Sequence, residues 1–316
     1  MKNIILFADT GIDDAITIIY ALQNPNINLL AIVAGYGNID RNKTYRNTKY
    51  LLELADREDI PVIAGATRPL DGSDPTFFPD IHGVEGLGPI KPPIPEERFA
   101  DQTNFSRLFQ IIKEFSEDIT IVNTGRLTSL AMAWYLSPST MEKVKETYVM
   151  GGAFLVPGNA TEVAEANFNA DSLAANFVSQ NVPDLTIIPL NVTREALITP
   201  LMAELINEQA DTPLQELIFP ILEFYYNAYQ QLEPGIQGTP QHDLAALMAA
   251  LQLEGLFHYE RRYVKVQHEM GYANGLSIAD FSPGSSDCFG TNCVKIATEI
   301  NYDLFTNNVV EILTSS

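Results

Sequence analysis

The chain has 316 residues, 46% hydrophobic and 19% charged, enough for a sizeable core in one large α/β domain or two smaller ones, and too few charges for a disordered chain. Nineteen Lys and Arg against 40 Asp and Glu give a net charge of -21, which argues against nucleic acid or an anionic membrane surface as partner and permits a cation site and a neutral polar substrate. No run approaches the roughly 18 apolar residues of a membrane span, and the N-terminal apolar run is too short for a signal sequence and meets Asp9 at once, so a soluble cytoplasmic protein is expected.

A first strand is expected at residues 4–8. It stops at Asp9, Gly11 allows a tight turn, and a helix follows over 12–23 with Ala15, Ile16, Ile19 and Leu22 on one face. Three carboxylates, Asp9, Asp13 and Asp14, therefore stand at a strand–loop–helix junction. In open α/β sheets ligands bind outside the carboxyl ends of the strands, and acidic side chains there can hold a hard cation through oxygen. Residues 29–34 are nearly all apolar, as in a parallel strand buried on both faces. Gly35-Tyr36-Gly37-Asn38 turns the chain into a helix over 43–54, and a third strand is expected at 61–64. Three strand–helix alternations predict a doubly wound, mostly parallel sheet with right-handed crossovers.

The alternation pauses over 67–100, a Pro- and Gly-rich stretch of the kind that forms a functional lid or is disordered. His82 lies in it and is expected in an exposed loop, beside a ligand or simply solvated. The pattern resumes with a helix at 104–115, a strand at 119–123, the turn Thr124-Gly125-Arg126-Leu127-Thr128 and a helix that carries the only tryptophan, Trp134. A strand at 147–150 runs into Gly151-Gly152, then Gly158-Asn159, then Ala164-Glu165-Ala166-Asn167, with Asp171 as a helix N-cap. A further strand is expected at 185–190. Residues 213–232 form one helix or two broken at Pro220, with Tyr225, Tyr226 and Tyr229 close together. His242-Asp243 precedes a fully buried helix at 244–253, and strands are expected at 263–268 and 292–298. Cys288 and Cys293 are expected as reduced thiols, with a local bridge as the alternative. No repeat or linker divides the chain, so one domain over 1–316 is expected.

Polar groups collect at strand ends and helix starts: Asp9, Asp13, Asp14, Asn38, Thr124, Asn159, Glu165, Asn167, His242 and Asp243. Singly, each has a local explanation. An acidic residue in the first turn of a helix gains about 0.3–1 kcal/mol from the dipole, and asparagine forms turns. Together they resemble the inosine-uridine-type nucleoside hydrolases. That family's motif D-x-D-P-G-x-D-D-A stands here as Phe7-Ala8-Asp9-Thr10-Gly11-Ile12-Asp13-Asp14-Ala15. Gly37-Asn38, His82-Gly83, Thr124-Gly125, Met150-Gly151-Gly152, Gly158-Asn159, Glu165 with Asn167, His242-Asp243 and the segment 275–280 resemble its later segments, in order and over nearly the whole chain.

The resemblance implies a Rossmann-like nucleoside hydrolase fold and a calcium ion held by Asp9, Asp14 and Asp243 with the Thr124 carbonyl. Two carboxylates about 4 Å apart repel by roughly 4 kcal/mol at an effective dielectric of about 20, so three in one cleft call for a cation. The resemblance further implies that Asp9 is the general base for a water attacking C1′ of a nucleoside. The bond breaks through an oxocarbenium-like state, and His242 protonates the departing base. Asp13 with Asn167, and Asn159 with Glu165, would hold ribose hydroxyls. Asn38 would lie beside ion and sugar, and His82 with one of the three tyrosines would wall the base pocket. A homo-oligomer, dimer or tetramer, is implied as well.

Phe7, Thr10, Arg126 and Ala166 depart from the family's pattern of Asp, Pro, Pro and Phe. Phe7 matters most, since it removes an acceptor and a negative charge near the site, with weaker metal binding or a shifted loop as the expected consequence. The departures point to a divergent member. A non-catalytic nucleoside- or sugar-binding descendant is the alternative. A phosphatase of the haloacid dehalogenase type is set aside, because Phe7 stands where its nucleophilic aspartate is required.

Overall fold

The computed structural model describes residues 1–93, 104–116, 118–285, 288, 290 and 292–315. In chain order the elements are β1 (Lys2–Ala8), α1 (Ile12–Gln23), β2 (Ile27–Ala34), α2 (Arg41–Leu54), β3 (Val62–Ala64), α3 (Pro79–His82), α4 (Phe105–Glu114), β4 (Ile119–Asn123), α5 (Thr128–Leu136), α6 (Pro138–Met141) and β5 (Glu146–Met150). They continue with α7 (Ala166–Ala170), α8 (Ser172–Asn181), β6 (Leu185–Ile188), α9 (Leu190–Thr193), β7 (Leu197–Ile198), α10 (Pro200–Glu208), α11 (Pro213–Glu216) and α12 (Ile218–Leu232). The last are β8 (Thr239–Pro240), α13 (His242–Ala250), β9 (Phe257–Tyr263), β10 (Lys265–Val266), β11 (Ser277–Ile278), β12 (Cys293–Ile300) and α14 (Tyr302–Leu313).

The main sheet has the order β3-β2-β1-β4-β5-β6-β12-β9. Every pairing in it is parallel except β12 with β9. This is the expected doubly wound sheet with one antiparallel edge. The chain builds outward from β1 through β2 to β3, then returns to place β4 on the other side of β1. The loops after β1 and β4 therefore diverge, and the crevice between them is the switch point where α/β sheets bind ligands.

Strand alternation sends Ile4, Leu6 and Ala8 into the core under α1, α12, α13 and α14, while Ile5 and Phe7 face the core under α4, α5 and α8. Phe7 thus points into an apolar layer with Leu127 and Leu130, away from the carboxylates. The Phe7 carbonyl accepts from the Thr124 N–H at 2.8 Å and ties the two site loops together.

Several expectations need correction. Cys288 and Cys293 form a disulfide rather than two thiols. The strand expected at 263–268 is split between the end of β9 and β10, which leaves the sheet to pair with β11. The strand expected at 185–190 ends at Ile188, where Pro189 caps α9. Between α11 and α12 the break falls at Leu217, and Pro220 sits in the first turn of α12, where its missing N–H costs nothing. Of the lid-like stretch, residues 94–100 lie outside the described residues; the part before them carries α3.

Candidate active site

Asp9 leaves the end of β1 and is 1% exposed. Its Oδ2 accepts the Asn38 backbone N–H at 2.8 Å, and the Asn38 amide lies 3.4 Å from Asp9 Oδ1 and 3.3 Å from Asp14 Oδ2. One asparagine after β2 therefore holds two carboxylates. A Cβ on Gly37 would fall 1.6 Å from Asp9 Oδ2, so the side chain fills the space that glycine leaves.

Gly11 is the N-cap of α1, and Asp13 and Asp14 lie in that helix's first turn. Asp14 reaches back to the Gly11 N–H at 3.0 Å, and its other oxygen lies 2.8 Å from the Thr124 hydroxyl. Asp243 lies in the first turn of α13, which packs on α1 and covers β4 and β5. Asp13, Asp14 and Asp243 each offer an oxygen within 4.8 Å of the others, all three buried. Of the expected metal ligands, Asp14 and Asp243 are in this trio; Asp9 lies outside it, and Asp13, expected at the sugar, lies within it. The Thr124 carbonyl accepts from the Asn167 amide at 2.7 Å and keeps a second lone pair.

The electrostatics call for a cation. Burial first, then the Asp14 charge, raises Asp9 to about 8. Burial and the Asp9 charge raise Asp13 to about 6. Asp14 is raised by burial and by Asp13, and Asp243 well above its usual range by burial and by all three. Asp13 Oδ1 is buried with no hydrogen-bond partner. His82 Nδ1 stands 3.8 Å from it but already accepts the Ile12 N–H at 3.1 Å, so it has no proton to offer. Clustered carboxylates with an unpaired oxygen fit a hard, oxygen-loving ion.

A cleft enclosing about 520 Å³ including its mouth is lined by the polar groups of Asp9, Asp13, Asn38, Thr124, Glu165 and Asn167 and by Ile81, His82, Tyr225, Tyr229 and His242. Glu165 caps α7: Oε2 accepts from Gly152 and Phe168, and Oε1 from Asn167. Only Oε1 keeps a lone pair for a ligand. Asn159 is exposed at the rim and accepts the Ala166 N–H through Oδ1, which leaves its amide NH₂ free to donate.

His82 is buried at the end of α3, not exposed as the sequence suggested. Burial, then Arg126 and His242, lower its pKa to about 3, so it is neutral with its proton on Nε2. Tyr225 and Tyr229, one turn apart on α12, form a wall in which His82, Tyr225, Tyr229 and His242 follow each other at ring distances of 5.5, 4.9 and 6.5 Å. Tyr226 points elsewhere and bonds the Ile236 carbonyl. His242 sits between Thr193 Oγ1 at 2.8 Å and the Tyr229 hydroxyl at 3.2 Å. Burial, then Arg194, hold it at about 4.

Thr193, the last residue of α9, has no role that the sequence alone suggests, yet it bonds His242. Arg126 appeared only as a departure from pattern. It is 6% exposed and lines the cleft, with Nη1 bonded to Asn167 Oδ1 and 3.6 Å from Asp9 Oδ2. The arrangement offers a base, a cation seat, hydroxyl-binding amides and an aromatic–imidazole wall that can hold a planar leaving group.

The family described as inosine-uridine preferring nucleoside hydrolase matches residues 4–307. The inosine-uridine preferring nucleoside hydrolase of Crithidia fasciculata is 31% identical over 99% of this chain and 97% of its own. Uridine nucleosidase 1 of Arabidopsis thaliana is 29% identical over 96% of this chain and 90% of its own. A solved plant nucleoside hydrolase superposes with a TM-score of 0.90 at 30% identity, covering 100% of this chain and 99% of its own.

Proposed function

The chain belongs to the inosine-uridine preferring nucleoside hydrolase family and is an N-ribosyl hydrolase, and from that premise we propose that it cleaves a ribonucleoside to free base and ribose with the help of calcium. The observation that carries this is the trio Asp13, Asp14 and Asp243 beside Asp9 at the switch point of the sheet. Asp14, Asp243 and the Thr124 carbonyl would hold the ion, with Asp13 as third carboxylate until a ribose hydroxyl takes its free oxygen. When bound, calcium neutralises the carboxylates and acidifies an attacking water.

The chain's own groups do the rest. A positive charge beside Asp9 reverses the rise in its pKa and leaves it ionised as the base. Asp9 takes the proton of the water as the water attacks C1′ and the C1′–N bond breaks. Asp13, Asn167, Asn159 and Glu165 Oε1 hold the ribose hydroxyls, and Asn38 keeps Asp9 and Asp14 in place. Negative charge growing on the base raises the proton affinity of His242, which would take a proton from solvent through the Tyr229 hydroxyl and pass it to the base, while the proton held by Asp9 returns to solvent. His82, neutral, supplies an N–H donor to the same ring.

Assembly as a dimer or tetramer, and one catalytic domain over the whole chain, belong to the same reading. No helix among the described residues is long and apolar enough to cross a membrane. A cytoplasmic location belongs to this reading too, although a disulfide such as Cys288–Cys293 is rare in the cytosol.

The test is a panel of purine and pyrimidine nucleosides with reducing-sugar detection. At least one should yield free ribose, and Asp9→Asn should abolish release while circular dichroism and calcium uptake persist. Calcium binding with no release from any nucleoside would overturn the substrate assignment.

A further inference from the structure

Arg126 is the one permanently charged cation among the described residues that line the cleft, where Asp9, Asp13, Glu165 and Asp243 also stand. It lies on the turn between β4 and α5, buried, with its Cζ 5.5 Å from the centre of the Phe78 ring. Its Nη1 is bonded to Asn167 Oδ1 and stands 3.6 Å from Asp9 Oδ2, inside ion-pair range but beyond a hydrogen bond. Its Nε and Nη2, the guanidinium's side-on edge, are buried without a partner. Three of the guanidinium's five donors are thus unused, and the charge nearest to it is the Asp9 carboxylate.

We propose that Arg126 is a built-in counter-cation of the carboxylate cluster: a positioning residue that pairs with Asp9 and loosens the cluster's hold on a divalent ion. The proposal rests on the cation seat described above. Two effects act in the same direction. The guanidinium repels an incoming cation, and it cancels the Asp9 charge that would attract one. Both scale with the charge of the ion, and burial limits screening by salt.

The experiment titrates chelator-treated full-length protein with calcium by calorimetry and with terbium by sensitised luminescence. Arg126→Gln should bind calcium on the order of tenfold more tightly than the unaltered chain. Arg126→Lys, which keeps the charge, should stay close to the unaltered chain. The gain in Arg126→Gln should be larger for trivalent terbium than for divalent calcium, a difference that a merely structural role for Arg126 would not produce. Arg126→Met, which keeps the stem against Phe78, is a second uncharged variant should the glutamine not fold. Equal or weaker calcium binding in both uncharged variants, or equal gains for the two ions, would overturn the proposal and leave the cation seat standing. No calcium binding in any variant, the unaltered chain included, would remove the seat and this proposal with it.

Discussion

Gly37 lacks a side chain because Asp9 occupies the space. An alanine Cβ there would overlap Asp9 Oδ2 at 1.6 Å, and the carboxylate would have to swing off the Asn38 N–H. A displacement of about 1 Å at a reacting group can cost roughly 100-fold in rate. Gly37→Ala should therefore lose kcat on that order while its circular dichroism and melting stay near those of the unaltered chain; an unchanged kcat would show that Asp9 is not the base. Asp9, Asp14, Asn38 and Asp243 were legible in the sequence because each stands where a strand ends or a helix begins. Arg126 was not, since arginine is seldom buried and a charge in a turn reads as solvated. Thr193 escaped because a threonine after a strand carries no chemical signature until a histidine is found 2.8 Å away.

At the level of elements, the parallel strands declared themselves as apolar runs, and the order of three strand–helix alternations gave the sheet. Edge strand β9 did not. Its sequence, Phe257–Tyr263, mixes Arg, Glu and aromatics, and much of it faces solvent. Helix α14 went unread although its buried Phe305, Val309, Ile312 and Leu313 hold helical spacing. The element that matters most for chemistry is α12, which sets Tyr225 and Tyr229 one turn apart and aims the second at His242. Tyr229→Phe removes the hydroxyl 3.2 Å from His242 Nε2. Hydrolysis of natural nucleosides should fall by about 100-fold, the lower range for a general-acid contact. An aryl riboside whose phenolate leaves without a proton should be cleaved almost as before. Equal losses on both substrates would place Tyr229 in sugar binding instead.

For the whole molecule, the buried carboxylates make stability depend on the ion. Asp9 near 8 and Asp13 near 6 lie above the usual 3.8, so each binds protons more readily in the folded state. Their contribution is complete below the unfolded value and is lost as pH rises through the folded one. The histidines near 3 and 4 act in the opposite sense, but only below their unfolded value of 6.5. Between about 6.5 and 8 the carboxylates alone decide. Chelated protein should therefore melt at progressively lower temperature across that interval, and calcium should flatten the trend, because a ligand of the native state stabilises it. A chelated melting point that is constant or rises across it would contradict the raised carboxylates. The most direct test of the central claim follows ribose release while metal is removed and restored, with calcium per chain counted by elemental analysis. Release should stop in chelated protein and return in full at one calcium per chain; full activity in protein shown to be metal-free would contradict it.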